Sequence, residues 1–107
     1  MYWSDEALNQ EIYDLTRKGL YSNDDETVTS VLWKFEEIVQ TKGYGLPVQK
    51  AFLLWESKKI SAKRLVLFFE NCYKWANDYE GETSLNLKDE VARWAFHFLW
   101  RLARSDR

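Results

Sequence analysis

A chain of 107 residues has the size of one domain, and with 46% apolar and 17% aromatic residues it can bury a core without disulfides or metal. The single cysteine, Cys72, excludes an internal disulfide and fits a reducing compartment. Net charge is −2, but residues 1–57 carry ten acids and five bases while residues 58–107 carry seven acids and ten bases, a polarity that suggests a charged partner.

No uncharged run exceeds seven residues, so no segment is expected to span a membrane. Met1–Glu6 lacks the basic and apolar regions of a signal peptide. The expectation is one helical domain over residues 1–107, cytoplasmic.

Ser4 can cap a first helix over residues 5–18, with Leu8, Ile12 and Leu15 as its stripe and Gly19 at the C′ position. Leu20–Glu26 is a polar connection in which Asn23 or Asp24 can cap the next helix. Val28, Val31, Leu32, Phe35, Ile38 and Val39 form that helix's apolar face, and Lys42-Gly43 ends it. A tight turn over Gly43–Pro47 follows, with Pro47 suited to the first position of a third helix whose inner face is Val48, Ala51, Phe52 and Trp55. Ser61 is the expected N-cap of a fourth helix, and Ile60 and Leu65 the pair that staples its entry. Its stripe runs from Leu65 through Phe68, Phe69, Cys72, Trp75 and Ala76 to Tyr79, and Gly81 stops it. Ser84 or Asn86 opens a fifth helix.

That last stretch, Leu87–Ala103, contains no Gly or Pro. Leu87, Val91, Trp94, Ala95, Phe98, Leu99 and Leu102 recur at helical spacing, and Phe96 and Trp100 fall on a second face. Apolar residues around most of a helix predict packing on several sides. The fold class expected is therefore all-α, a compact bundle of about five helices, with the C-terminal helix most buried and Trp94 and Phe98 enclosed. Trp33, Trp55, Trp75 and Trp94 recur at similar intervals, but their surroundings do not repeat, which argues against a solenoid.

No catalytic constellation is visible, and an enzyme is not expected. His97 lies between Phe96 and Phe98 with no second histidine and no acid at the i±4 positions, so a structural role is favoured over a metal ligand. Cys72 lies on an apolar stripe, where cysteine behaves as a small hydrophobe. Gly43-Tyr44-Gly45 lacks the Lys-Ser/Thr ending of a phosphate loop. No cofactor and no metal are expected.

Charge placement is more informative. The fourth helix puts Lys63 and Arg64 in its first turn and Asp78 and Glu80 at its end, with Glu82 just beyond, against the preference of the helix dipole. Local rules are often broken at functional sites. Asp78, Glu80 and Glu82 surround Tyr79, and Asp24, Asp25 and Glu26 lie beside Tyr21. Tyrosine beside acids is the composition of an interface hot spot with a charged rim. Both groups are candidate partner-binding residues, the Asp78 group ranking first.

The stretch Ala51–Phe69, reading Ala-Phe-Leu-Leu-Trp-Glu-Ser-Lys-Lys-Ile-Ser-Ala-Lys-Arg-Leu-Val-Leu-Phe-Phe, resembles the colicin D immunity type of sequence, with its Phe-Leu, polar spacer and Ile-Ser/Thr-Ala pattern across a helix boundary. Similar small, aromatic-rich helical chains occur among contact-dependent growth inhibition immunity proteins. The resemblance covers under a fifth of the chain and carries over no binding residue. It implies a cytoplasmic protein that binds one cognate toxin, usually a nuclease with a basic cleft, and blocks its active site. Two alternatives remain. One is a helical adaptor or regulatory subunit for another protein. The other is a phosphate- or nucleic-acid-binding module using Lys58, Lys59, Lys63 and Arg64, which a pI of about 5.4 argues against.

Overall fold

The five apolar stripes become five α-helices: α1 (Glu6–Leu20), α2 (Asp25–Lys42), α3 (Leu46–Glu56), α4 (Ala62–Asp78) and α5 (Glu82–Ser105). The computed structural model describes residues 6–42, 45–78 and 82–105, with 82–86 and 105 as backbone alone. No strand occurs among the described residues.

Side chains set several of the boundaries. The Asp24 carboxylate accepts from the Thr27 backbone N–H at 3.2 Å and from its hydroxyl at 2.7 Å, closing the start of α2. The Ser61 hydroxyl accepts from the Arg64 N–H at 3.1 Å and does the same for α4. Ile60 packs on the core that holds Leu65, as a staple would. At the end of α3 the Lys59 N–H reaches the Leu54 carbonyl at 2.8 Å and the Lys58 N–H the Trp55 carbonyl at 2.9 Å. That is the Schellman pattern, and it places Lys58 in the left-handed region at φ 63°.

Helix α3 occupies the centre. It packs against each of the other four helices, and five of its eleven residues, Pro47, Val48, Ala51, Phe52 and Leu54, are buried. One core cluster runs through all five helices, from Leu8 and Ile12 on α1 to Leu87, Val91 and Phe98 on α5. An aromatic group joins α3 to α5: Phe98 stands edge-on to Trp55 at 4.7 Å between centroids, and Phe52 lies 5.1 Å from Trp94. The Trp94 indole N–H donates to Glu90 at 3.2 Å.

Three expectations need correction. The C-terminal helix is not the most buried one. Phe98 is enclosed, but Trp94 is only half-buried, and Phe96, Leu99 and Trp100 are 72%, 58% and 49% exposed. The second apolar face of α5 is therefore exposed, because α3 and α4 cover one side of the helix and, among the described residues, no other element covers the opposite side. Gly19 does not end α1, which continues through Leu20. It is buried where α1 meets its neighbours, and a Cβ there would come within 3.1 Å of Leu54 and 3.4 Å of Val31. Helix α5 begins at Glu82, ahead of both Ser84 and Asn86.

Candidate functional site

Helix α2 turns Val28, Val31, Leu32, Phe35, Ile38 and Val39 inward. Trp33 belongs to none of those positions. At 100° per residue it falls on the opposite side of the helix, and it is 62% exposed. With Asp25, Glu26, Thr29 and Ser30 it lines a shallow depression of ≈ 520 Å³. The ring is held from behind. The Arg64 guanidinium lies 5.9 Å from its centroid, while the same group donates to Glu36 on α2 at 2.8 Å. A large aromatic side chain with two carboxylates along one side of its depression, and with the Arg64–Glu36 ion pair beside it, can desolvate a partner while those carboxylates attract positive charge.

The residues of the first acidic group divide accordingly. Asp25 and Glu26 are exposed on this face. Tyr21 is 81% exposed in the preceding loop, which is anchored by the Lys59 ammonium donating to the Ser22 carbonyl at 2.8 Å. Asp24 is occupied by the cap of α2, and the hydrogen bond from the Thr27 hydroxyl holds its carboxyl below the ordinary value.

Of the other acidic group, Asp78 is exposed at the end of α4. Tyr79 and Glu80 lie outside the described residues, and Glu82 opens α5 with its side chain also outside them. Asp78 sits on the rim of the groove between α4 and α5, ≈ 550 Å³ in volume, which Val66, Phe69, Tyr73, Ala95 and Leu99 line with apolar surface. The two candidate surfaces share no lining residue.

The basic quartet is split. Arg64 is paired with Glu36, and Lys59 is tied to the Ser22 carbonyl. Lys58 and Lys59 border a depression with Arg101 and Glu56, which are themselves an ion pair, and neither Lys63 nor Arg64 lines it. The reversed charge order of α4 thus has a structural cause at Arg64, whose partner is 28 residues away.

His97 is exposed and packs among rings. It lies 5.2 Å from Phe52, edge-on to Trp94 at 5.5 Å, and parallel to Trp100 at 6.4 Å. Cys72 is buried, and its thiol is pushed up, first by burial and then by the charge of Glu36. Among the described residues no group of three His, Cys, Asp or Glu side chains is placed to hold a metal ion, and no helix is long and apolar enough to cross a membrane.

Sequence reasoning passed over Trp33, treating it only as one of a series of tryptophans. The signal was there: a tryptophan on the polar side of an amphipathic helix, among Glu26, Thr29, Ser30 and Glu37. Searched against protein-family models, curated proteins and solved structures, the chain matches none of them.

Proposed function

We propose that this domain is a binding protein for a partner with a basic surface, and that it works as a stoichiometric inhibitor of the immunity type, occluding the cleft of a bacterial toxin with nuclease activity. The observation that carries the reading is the exposed Trp33, which shares one depression with Asp25 and Glu26 of the first turn of α2. A cleft that holds phosphates is basic. Carboxylates presented there gain attraction and a fast encounter, while the indole supplies desolvated contact. The resemblance of Ala51–Phe69 to immunity sequences supports the toxin as partner. Asp78 belongs to a separate surface and takes second place to Asp25 and Glu26.

The adaptor reading has an observation of its own, the apolar groove beside α5. The nucleic-acid reading is weaker, since two of its four cations are engaged within the fold.

The test is recovery of the partner with native protein from its own cells, followed by growth protection against any toxin recovered. Trp33→Ala, and Asp25→Lys with Glu26→Lys, should keep the helical circular dichroism and weaken protection at limiting expression, the charge variants mainly through association rate. Full protection by these variants sinks the proposed face. A tight complex with RNA or DNA whose affinity falls steeply with salt, and no protein partner, sinks the function.

A further inference from the structure

On the solvent side of α5, Ala92, Phe96, Leu99 and Ala103 are all exposed. Their spacing is four, three, four. That is the a/d spacing of a helix seam that packs against another helix, and it continues for three turns on a side that, among the described residues, no other helix reaches. Trp100 widens the seam on one flank, and Ala95 and Leu102 on the other, where Val66 and Tyr73 of α4 carry apolar surface further.

We propose that a second copy of this chain covers this face, with the two α5 helices antiparallel about a two-fold axis that passes between Phe96 and Leu99. The inference is independent of the partner bound at Trp33. It rests on three features of the face.

The first is self-complementarity. An isologous contact requires that if one residue meets a second, the second meets the first. Antiparallel pairing about that axis sets Phe96 against the partner's Leu99 and Ala92 against the partner's Ala103. Bulky side chains fill the middle, and small ones let the backbones approach at both ends.

The second is charge. Residues 92–104 carry Arg93, Arg101 and Arg104 and no acid, so two bare copies would repel. Arg93 is neutralised by Asp89 at 3.0 Å and Glu90 at 3.5 Å, and Arg101 by Glu56. Arg104 lies over the Trp100 ring at 4.7 Å. The α4 rim carries charges of both signs, Glu70, Lys74 and Asp78, so a second copy meets a mixed rim rather than one of a single sign.

The third is area. Phe96, Leu99, Trp100, Val66 and Tyr73 together expose on the order of 500 Å² of side chain. With the alanines and the polar rim the face approaches the roughly 800 Å² per partner of a specific interface.

Sedimentation equilibrium of the full chain across the micromolar range tests the proposal. The native protein should dimerise, and Phe96→Glu and Leu99→Glu should each weaken the dimer at least about tenfold while leaving helicity unchanged, since both positions are exposed in the single chain. Trp33→Ala, outside the seam, should leave it intact. Register is read by cross-linking, because Cys72 is buried. Ala92→Cys combined with Ala103→Cys should give a covalent dimer under mild oxidation, since within one helix the two positions are about 16 Å apart and cannot bridge. Either change alone should not. A monomer at every concentration, a dimer indifferent to Phe96→Glu and Leu99→Glu, or ready cross-linking by a single cysteine variant would each overturn the arrangement.

Discussion

The Arg64 guanidinium, on the first turn of α4, donates to the Glu36 carboxylate of α2 at 2.8 Å, with the Glu36 side chain only 9% exposed. Two helices are joined there by a charge that α4 places against its own dipole. A lost cationic partner leaves a nearly buried carboxylate without compensation. Arg64→Met should therefore cost about 2–4 kcal/mol, below the top of the range for buried pairs because Arg64 keeps some contact with solvent. Replacing both residues together with Leu should cost much less. Urea unfolding of the two variants checks this; equal losses would show that the pair is incidental.

Lys58 occupies a left-handed position that glycine fills without strain. Its side chain is exposed and lacks a structural role at the helix end, where the backbone makes the bonds. Lys58→Gly should stabilise the protein by about 0.5–1 kcal/mol, the relief of strain exceeding the added freedom of the unfolded chain. A thermal melt that moves down would contradict the left-handed cap.

Asp24 accepts two bonds from Thr27, and its carboxyl is held below the ordinary value of 3.8. A folded pKa below the unfolded one means the contribution is whole above pH 3.8 and is lost as pH falls through the folded value. Asp24→Ala should be less stable than the parent at neutral pH, and the difference should shrink in acid. Asp24→Ser keeps a capping oxygen and no charge, so its gap from the parent at neutral pH should be smaller than that of Asp24→Ala and should also shrink in acid. A gap between parent and Asp24→Ala that widens in acid would reverse the assignment.

Phe98 is 2% exposed and wedged between Trp55 and Phe69. Phe98→Ala should cost about 3–5 kcal/mol. Tyr21→Ala should stay within about 0.5 kcal/mol of the parent, as an exposed residue outside such contacts. Chemical denaturation of the two variants gives the comparison, and similar losses would mean that Phe98 is not enclosed.

The helices and two of their caps could be read from the sequence because each depends on residues within one turn of itself: Ser61 and Arg64, Asp24 and Thr27, the spacing of Val28 to Val39. Burial of α5 could not. Periodicity shows which residues are apolar, but which of them is covered depends on partners elsewhere in the chain, so Phe98 and Phe96, two residues apart, have opposite fates. The charge order of α4 looked like a functional anomaly because Glu36 is remote in sequence. Gly19 reads as a helix end by its position after Arg17 and Lys18; only the approach of Leu54 and Val31 explains a glycine inside the helix. Of the residues lining the Trp33 depression, Asp25 and Glu26 stand out as an acidic cluster in the sequence, whereas Trp33 needed the α2 face to be drawn around the helix.

Helix α3 has eleven residues, no side-chain cap at its start and no charged residue in its first or last turn positioned to favour the dipole. It is shorter than the roughly 12–15 residues at which isolated helices become even marginal in water. A peptide covering 46–56 should therefore be unstructured, and α3 persists only while its four neighbours hold it. Because all four neighbours pack on it and Val48, Ala51, Phe52 and Leu54 belong to the shared core, opening this element should expose that core. Its amide protons should exchange with deuterium only through global unfolding, at rates that follow the stability of the whole domain, while those near the helix ends exchange through local fraying.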